Sequence, residues 1–163
     1  QGWRSPVDFD SWRRSFPAQE EILRRTLDEA DWENARWARF ETLRLHRWST
    51  GRVAVLGDAA HAMPPYLGQG AGHAMMNALG LAVAVGAATT DIPGALAVWE
   101  ARERPLTEHT QLWTRRYGSI LHIPNRLKPL AIRAELTFPW IARQYGRAGR
   151  HVPTGCDPAG ATA

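Results

Sequence analysis

The pattern of hydrophobic and polar positions predicts short elements in the first third of the chain. In residues 8–30 apolar side chains recur at three- and four-residue spacings, which predicts a helix, and Pro17 should break it. In residues 38–47 apolar and polar side chains alternate, which predicts a half-buried strand. Residues 49–51 are typical of a turn, and residues 53–56 form an apolar, β-branched run that predicts a buried strand.

The remainder of the pattern is helical. Residues 71–88 are nearly all small or apolar, which predicts a long buried helix beginning just after Gly70. After a loop in which Asp91 can act as a cap, residues 94–116 should form a second long helix that Pro105 kinks or splits. A last helix is expected over residues 127–145, with interruptions at the prolines Pro129 and Pro139.

The segment between the buried strand and the first long helix has the composition of a binding loop. Asp58 places a carboxylate at the end of the strand, and Pro64-Pro65 stiffens the chain. Gly68 and Gly70 allow the backbone to approach a ligand closely, and the free amides of the following helix suit an anion, a pyrophosphate or an electron-rich ring oxygen. Taken singly, Asp58 could be only a helix cap and the glycines only a tight turn.

Residues 49–88 as a whole resemble a known family. GRVAVLGDAAH, followed by PPxxGQGAG and an Ala/Met-rich helix, is similar to the second FAD-binding signature of the single-component flavoprotein aromatic hydroxylases, which have the para-hydroxybenzoate hydroxylase fold. Residues 97–105 resemble the family's aromatic-Glu-x-x-Arg-x-Pro helix. The resemblance implies a mixed α/β (α+β) fold, mostly helical here, with one strand of the substrate domain and one strand of the FAD domain.

The resemblance also implies roles for individual residues. In this family the Asp of the Gly57-Asp58 pair holds the flavin ribityl chain, and the proline beside the isoalloxazine falls at Pro64 or Pro65. The complete cofactor-binding set that we expect is Gly57, Asp58, Pro64, Pro65, Gly68, Gln69, Gly70 and Ala71. Many members carry an acidic residue where this chain has Asn77, which we interpret as a subfamily difference. No catalytic residue is assigned within the chain.

Further segments are implied by what the sequence lacks. There is no Gly-x-Gly-x-x-Gly after a strand, the dinucleotide fingerprint that this family carries near its N-terminus, and there is no initiator Met. We therefore expect the C-terminal portion of a longer protein or one chain of a split enzyme, with the N-terminal half as partner. The expected division is 1–48 (end of the substrate-domain region), 49–117 (FAD-binding signature and following helices), 118–145 (C-terminal helix) and 146–163 (disordered tail).

Composition narrows the classes of function. The 163 residues are 44% hydrophobic and 22% charged, which is ordinary for a globular protein. The net charge of +4 is spread along helices among acidic residues, which fits an anionic cofactor at least as well as nucleic acid, and we expect no nucleic-acid partner. The single Cys156 excludes an internal disulfide, and His61 and His73 lack the neighbours of a metal site. Polar residues within 71–88 disfavour a membrane span, and a cytoplasmic location is expected.

Two functions follow from these observations. The resemblance implies an FAD-dependent monooxygenase that hydroxylates a small aromatic or polyketide-like substrate, with NAD(P)H as co-substrate and O2 as oxidant. The alternative is a flavin-free scaffold that acts as a cofactor-independent enzyme or a binding module. The identity of the substrate, the choice between NADH and NADPH, and the oligomeric state stay open at this point.

Overall fold

A computed structural model describes residues 9–26, 31, 40–153 and 155–156 of the chain. The chain divides into two compact units, residues 1–39 and 40–163. The first unit contains α1 (Phe9–Ser15), a 3-10 turn (Pro17–Gln19) and α2 (Glu20–Thr26), so the predicted break at Pro17 is confirmed. Residues 27–30 of the predicted helix lie outside the described residues.

The second unit is a small antiparallel hairpin followed by helices. Its elements, in chain order, are β1 (Ser49–Thr50), β2 (Val53–Ala54), α3 (Asp58–His61), α4 (Gly70–Ala87), α5 (Ile92–Ser119), α6 (Lys128–Thr137) and α7 (Pro139–Tyr145). Short 3-10 turns lie at Pro65–Leu67, Ile120–His122 and Ala148–Arg150. The predicted mixed α/β class, mostly helical, is confirmed.

The two long helices begin where the sequence indicates. The Asp91 carboxylate accepts a hydrogen bond from the Gly94 amide at 2.9 Å and caps α5. A Cβ at Gly94 would lie 2.1 Å from Asp91 Oδ2, so this cap requires glycine there. Pro105 lies inside α5 without splitting it, and the helix continues past the predicted end at residue 116 to Ser119.

The hydrophobic core lies where the hairpin meets the long helices. Trp48, Ala60 and Trp99 are buried together, and the Trp48 and Trp99 ring centroids are 5.8 Å apart. Trp99 Nε1 donates to the backbone carbonyl of Asn77 at 2.9 Å, which ties α5 to α4. The indole therefore fills the core and satisfies its one polar group at the same time.

The strand predicted over residues 38–47 is wrong for the described part, residues 40–47, which have no regular secondary structure. Arg104 donates to the carbonyls of Leu45 at 2.8 Å and His46 at 2.5 Å, and Gln111 Nε2 donates to the carbonyl of Leu43 at 2.7 Å. Side chains of α5 thus take the place of a neighbouring strand, because backbone carbonyls need partners but not necessarily a sheet. Residues 38 and 39 lie outside the described residues.

The hairpin also differs from the prediction. Residues 49–50, expected in a turn, pair as β1 with β2, in the register Ser49 with Ala54 and Thr50 with Val53. The strand is only two residues long, and Val53 is 63% exposed rather than buried. The tight turn at Gly51, with φ of 54°, explains the difference because it folds the chain back immediately.

Two prolines begin helices instead of interrupting one. Pro129 and Pro139 stand in the first turns of α6 and α7. In the first turn a missing N–H costs no helical hydrogen bond, so proline is well tolerated there. The predicted single helix is therefore two helices that meet at Phe138.

The segment after residue 146, predicted to be disordered, packs on the long helices as far as it is described. Ala148 is buried, and His151 Nε2 lies 2.8 Å from Glu103 Oε2. Gly155 passes so close to Val83 that a Cβ there would lie 2.3 Å from Val83 Cγ1. The contact of His151 with the buried Glu103 carboxylate and the close approach of Gly155 to Val83 hold this segment, although it contains few large apolar residues. Thr154 and residues 157–163 lie outside the described residues.

Candidate functional site

Gly57 turns the chain from the hairpin into α3 and presents Asp58. Its φ of 65° and ψ of −150° suit glycine and disfavour residues with a Cβ. Asp58 is the first residue of α3 and is exposed, so its carboxylate is available to a ligand.

The next segment, residues 62–69, is called the cavity loop below. Pro64 is extended and buried, and Pro65 opens the 3-10 turn. Gly68 has φ of 65°, and a Cβ added there would meet no atom within 4 Å, so its backbone borders open space. The loop then delivers the chain to Gln69, which immediately precedes α4.

The N-terminal end of α4 carries free amides. Gln69 makes no capping hydrogen bond with its side chain, and the His73 amide donates to the Gln69 carbonyl at 3.0 Å. The amides of Gly70, Ala71 and Gly72 therefore have no acceptor within the helix. Together with the positive end of the helix dipole, these amides favour an electron-rich or anionic group.

Asp58 and the free amides border one cavity. The cavity has a volume of about 530 Å³ and is lined by Asp58, Met63, Pro65, Gly68, Gly70, Ala71 and Ala74. Five of the eight residues that the sequence singles out thus lie together on its wall. Gly57 comes directly before Asp58 in the chain but does not line the cavity. The carbonyl of Pro64 accepts a hydrogen bond from α5, and the side-chain amide of Gln69 donates one to α7, as described below.

A chain of buried polar side chains runs between α4 and α5. Asn77 Nδ2 lies 3.0 Å from His61 Nε2 and 3.2 Å from Thr107 Oγ1. Thr107 Oγ1 lies 3.2 Å from His73 Nδ1, and His73 Nε2 lies 2.8 Å from Thr110 Oγ1. His61, which the sequence disfavours as a metal ligand, belongs to this network.

Burial keeps the two histidines of this network uncharged. Loss of solvent lowers the pKa of His61, partly offset by its own backbone and by the charge of Asp58. Loss of solvent, aided by His61 and His151, lowers the pKa of His73 to about 4. Both imidazoles are therefore uncharged near pH 7, and the positive character near the cavity comes from the helix end.

Sequence reasoning missed the residues of α5 that face the cavity loop. Gln111 Nε2 donates to the Ala62 carbonyl at 3.0 Å, and Thr114 Oγ1 donates to the Pro64 carbonyl at 3.0 Å. A signal was present, because a set of small and polar residues that the structure buries recurs at helical spacing along α5. They are Glu103, Thr107, Thr110, Gln111, Thr114 and Gly118.

By length and composition alone, α4 is the single helix in the described part of the chain that could cross a membrane. Its polar residues His73 and Asn77 are buried and hydrogen-bond to α5. Only 17% of the helix is buried, however, so the helix predicted over residues 71–88 is present but the prediction that it is buried is wrong. Among the described residues, no three His, Cys, Asp or Glu side chains group as metal ligands.

Comparison with known proteins identifies the family of this chain. The model of the FAD binding domain family matches residues 5–105. The chain belongs to this family. A probable 2-heptyl-3-hydroxy-4(1H)-quinolone synthase of Rhodococcus erythropolis is 45% identical over 149 residues, which are 91% of this chain and 38% of that protein. A salicyloyl-CoA 5-hydroxylase of a Streptomyces species is 42% identical over 78 residues, 48% of this chain and 15% of that protein.

A solved structure extends the agreement to the whole fold. The tetrameric form of 2-methyl-3-hydroxypyridine-5-carboxylic acid oxygenase superposes with a TM-score of 0.67 at 32% identity, over 93% of this chain and 36% of that one. With the hydroxylases and monooxygenases among its relatives, the chain belongs to the para-hydroxybenzoate hydroxylase-like, FAD-dependent members of the family. It spans well under half the length of these relatives.

The residues around the cavity fit a flavin cofactor of the FAD binding domain family. An exposed carboxylate at Asp58 can accept hydrogen bonds from a polyhydroxylated chain. The free amides at Gly70 and Ala71 can donate to ring oxygens, and the open space beside Gly68 lets a planar group approach the backbone. The donor set and the shape thus agree with the family.

Proposed function

We propose that this chain supplies part of the active site of an FAD-dependent monooxygenase that hydroxylates an aromatic ring with NAD(P)H and O2. The observation that carries the proposal is the cavity lined both by Asp58 and by Gly70 and Ala71, which begin α4. The net reaction is balanced: the ring C–H becomes C–OH, the second oxygen atom leaves as water, and NAD(P)H with one proton supplies the two electrons. When bound, FAD carries the electrons from NAD(P)H to O2.

The residues of this chain bind and orient in this proposal. The Asp58 carboxylate holds the ribityl hydroxyls, and the Gly70 and Ala71 amides donate to the electron-rich edge of the ring. Pro65 and Met63 supply apolar surface on the wall of the cavity. Because Asp58, the ionisable residue of this wall, is assigned to the ribityl chain, proton transfer to or from the substrate is assigned to residues outside the wall.

The substrate class that we favour is an oxygenated nitrogen heterocycle. A relative that matches most of the chain is named for a 3-hydroxy-4(1H)-quinolone product, and the structural neighbour is named for a hydroxypyridine carboxylic acid. Both names describe a nitrogen heterocycle with an oxygen substituent, and this substituent enriches ring carbons in electrons. A 2-alkyl-4-quinolone should accelerate NAD(P)H oxidation more than salicylate does, and the reverse preference would argue against this class.

The rest of the flavin site is proposed to lie on a second segment or chain that carries the dinucleotide fingerprint. The support is that the chain covers 38% of a quinolone synthase relative and that it contains no Gly-x-Gly-x-x-Gly. Use of NAD(P)H accords with a cytoplasmic location.

The test is flavin binding by the natively purified protein, assayed together with the segment or chain that carries the dinucleotide fingerprint. A visible flavin band is expected, and Asp58→Ala should raise the Kd for FAD by roughly ten- to a hundredfold, because a charge-assisted hydrogen bond contributes about 1.5–3 kcal/mol. Asp10→Ala is the matched control, since Asp10 is an exposed aspartate of the first unit. It should leave the Kd unchanged.

A colourless protein that also fails to bind added FAD would overturn the proposal and favour the flavin-free scaffold. Equal FAD affinity in Asp58→Ala and the original protein would remove the role of Asp58 but leave flavin binding in place. The spectrum therefore separates the two questions.

A further inference from the structure

The cavity loop is bound by residues of α5 that lie beyond residue 105, where the match to the family model ends. The carbonyls of Ala62 and Pro64 accept hydrogen bonds from Gln111 and Thr114, both in the second half of α5. These side chains are buried, and their donors reach main-chain atoms of the loop. The loop backbone on the side away from the cavity is thus fixed by α5.

A third contact joins the end of the loop to α7. Gln69 Nε2 donates to the carbonyl of Tyr145 at 2.6 Å. Tyr145 is the last residue of α7, where carbonyls lack helical partners, so the Gln69 amide caps this helix. One side chain therefore links the start of α4 to the end of α7.

Tyr145 is itself fixed by aromatic packing. Its ring meets those of Trp113 and Tyr117 edge-on, with centroid separations of 5.7 Å and 5.5 Å. Trp113 also meets Trp140, with centroids 6.0 Å apart. Because these rings belong to α5 and α7, the acceptor for Gln69 is held rigidly against α5.

A fourth contact is steric. The Tyr66 ring lies against buried Gly118, where a Cβ would come within 2.2 Å of Tyr66 Cε2. Only glycine at 118 leaves room for the ring in this position. Tyr66 lies in the 3-10 turn that precedes Gly68, so the contact sets the position of this part of the loop.

We propose that Gln69, Tyr66 and Gly118 are positioning residues, through which the second half of α5 and α7 hold the cavity loop in the form that binds FAD. The inference rests on the proposed function. A loop ordered in advance binds more tightly, because the conformational entropy of its backbone is not lost on binding. Contacts on the far side of the loop thereby control cofactor affinity without touching the cofactor.

The first experiment removes the hydrogen bond from Gln69. Gln69→Met keeps the length of the side chain and should raise the Kd for FAD by about tenfold, with a shifted visible band of the bound flavin. Gln144→Met makes the same change beside Tyr145 in α7 and should alter neither quantity. The thermal midpoint without FAD should change little in either variant, which separates positioning from general destabilisation.

A double-mutant cycle provides the second experiment and decides the matter if Gln69→Met does not fold. Gly118→Ala should weaken FAD binding because it displaces the Tyr66 ring. In a Tyr66→Ala background the same Gly118→Ala change should have little further effect, since the ring that it would strike is gone. Strong non-additivity in the FAD Kd is the expected result.

The outcomes distinguish the two proposals. If the original protein binds FAD and both Gln69→Met and Gly118→Ala bind it equally tightly with the same spectrum, the positioning role is overturned alone. Additive effects in the cycle would overturn the Tyr66–Gly118 part. If the original protein binds no FAD, the proposed function fails and this inference fails with it.

Discussion

At the scale of single residues, the buried histidine His73 makes stability depend on pH. Its pKa is about 4 in the folded chain and about 6.5 when exposed, so the unfolded chain binds more protons between these values. The uncharged, buried His73 makes its full contribution to the free energy of unfolding above about pH 6.5, and this contribution is lost as the pH falls towards 4. The full loss corresponds to about 3 kcal/mol.

Urea unfolding at pH 7, 5.5 and 4 measures this dependence. His73→Gln should flatten much of the slope, whereas His122→Gln, at an exposed position, should leave it unchanged. A His73→Gln variant as sensitive to acid as the original protein would contradict the prediction. Some slope should persist in any case, because burial also lowers the pKa of His61.

Residues also mark the limit of what the sequence can predict. Asp91 could be predicted as a cap because its partner Gly94 is three positions away. Asn77 could be recognised as a departure from the family, but its partners His61 and Thr107 are distant in sequence and come together only through packing. The cavity wall could be predicted because its residues lie in one continuous segment.

At the scale of elements, two glycines of α4 provide a matched pair. A Cβ added at Gly86 would meet no atom within 4 Å, so Gly86→Ala should raise the free energy of unfolding by about 0.5 kcal/mol through helix propensity. A Cβ at Gly80 would lie 3.3 Å from Glu103 Oε1, where α4 and α5 pack closely. Gly80→Ala should therefore gain nothing or destabilise.

Thermal and urea unfolding of the two variants, side by side, is the measurement. An equal gain in both would mean that α4 and α5 do not approach as closely at Gly80 as described. Destabilisation by Gly86→Ala would contradict the exposed position of that residue.

Element boundaries show the same division between local and distant causes. The start of α4 follows from the composition beyond Gly70, and the break after α1 follows from Pro17. The alternation in residues 40–47 predicted a strand wrongly, because a strand needs a neighbour and periodicity cannot supply one. Here the backbone partners are Arg104 and Gln111, which lie about 60 residues further along the chain.

At the scale of the whole molecule, α4 leaves an apolar stripe exposed. Met75 is 68% exposed and Leu79 is 48% exposed, one helical turn apart. The 163-residue chain on its own should therefore self-associate with increasing concentration, because exposed apolar patches drive association. Light scattering over a concentration series measures this.

The double variant Met75→Lys/Leu79→Lys should reduce the association. Ile132→Lys, which removes one exposed apolar side chain from α6, is the control and should not. A monomer at every concentration for the unchanged chain would contradict the prediction.

Pro105 has a further consequence for the whole molecule. Because proline has no amide hydrogen, the carbonyl of Ala101 lacks its usual partner, and the hydrogen-bond ladder of α5 is interrupted there. The helix is continuous in space, and we expect the interruption to divide it into two units that open separately. In hydrogen–deuterium exchange, amides from Leu106 to Ser119 should open together and independently of those before Pro105. Cofactor binding should then slow exchange chiefly in the unit that carries Gln111, Thr114 and Gly118.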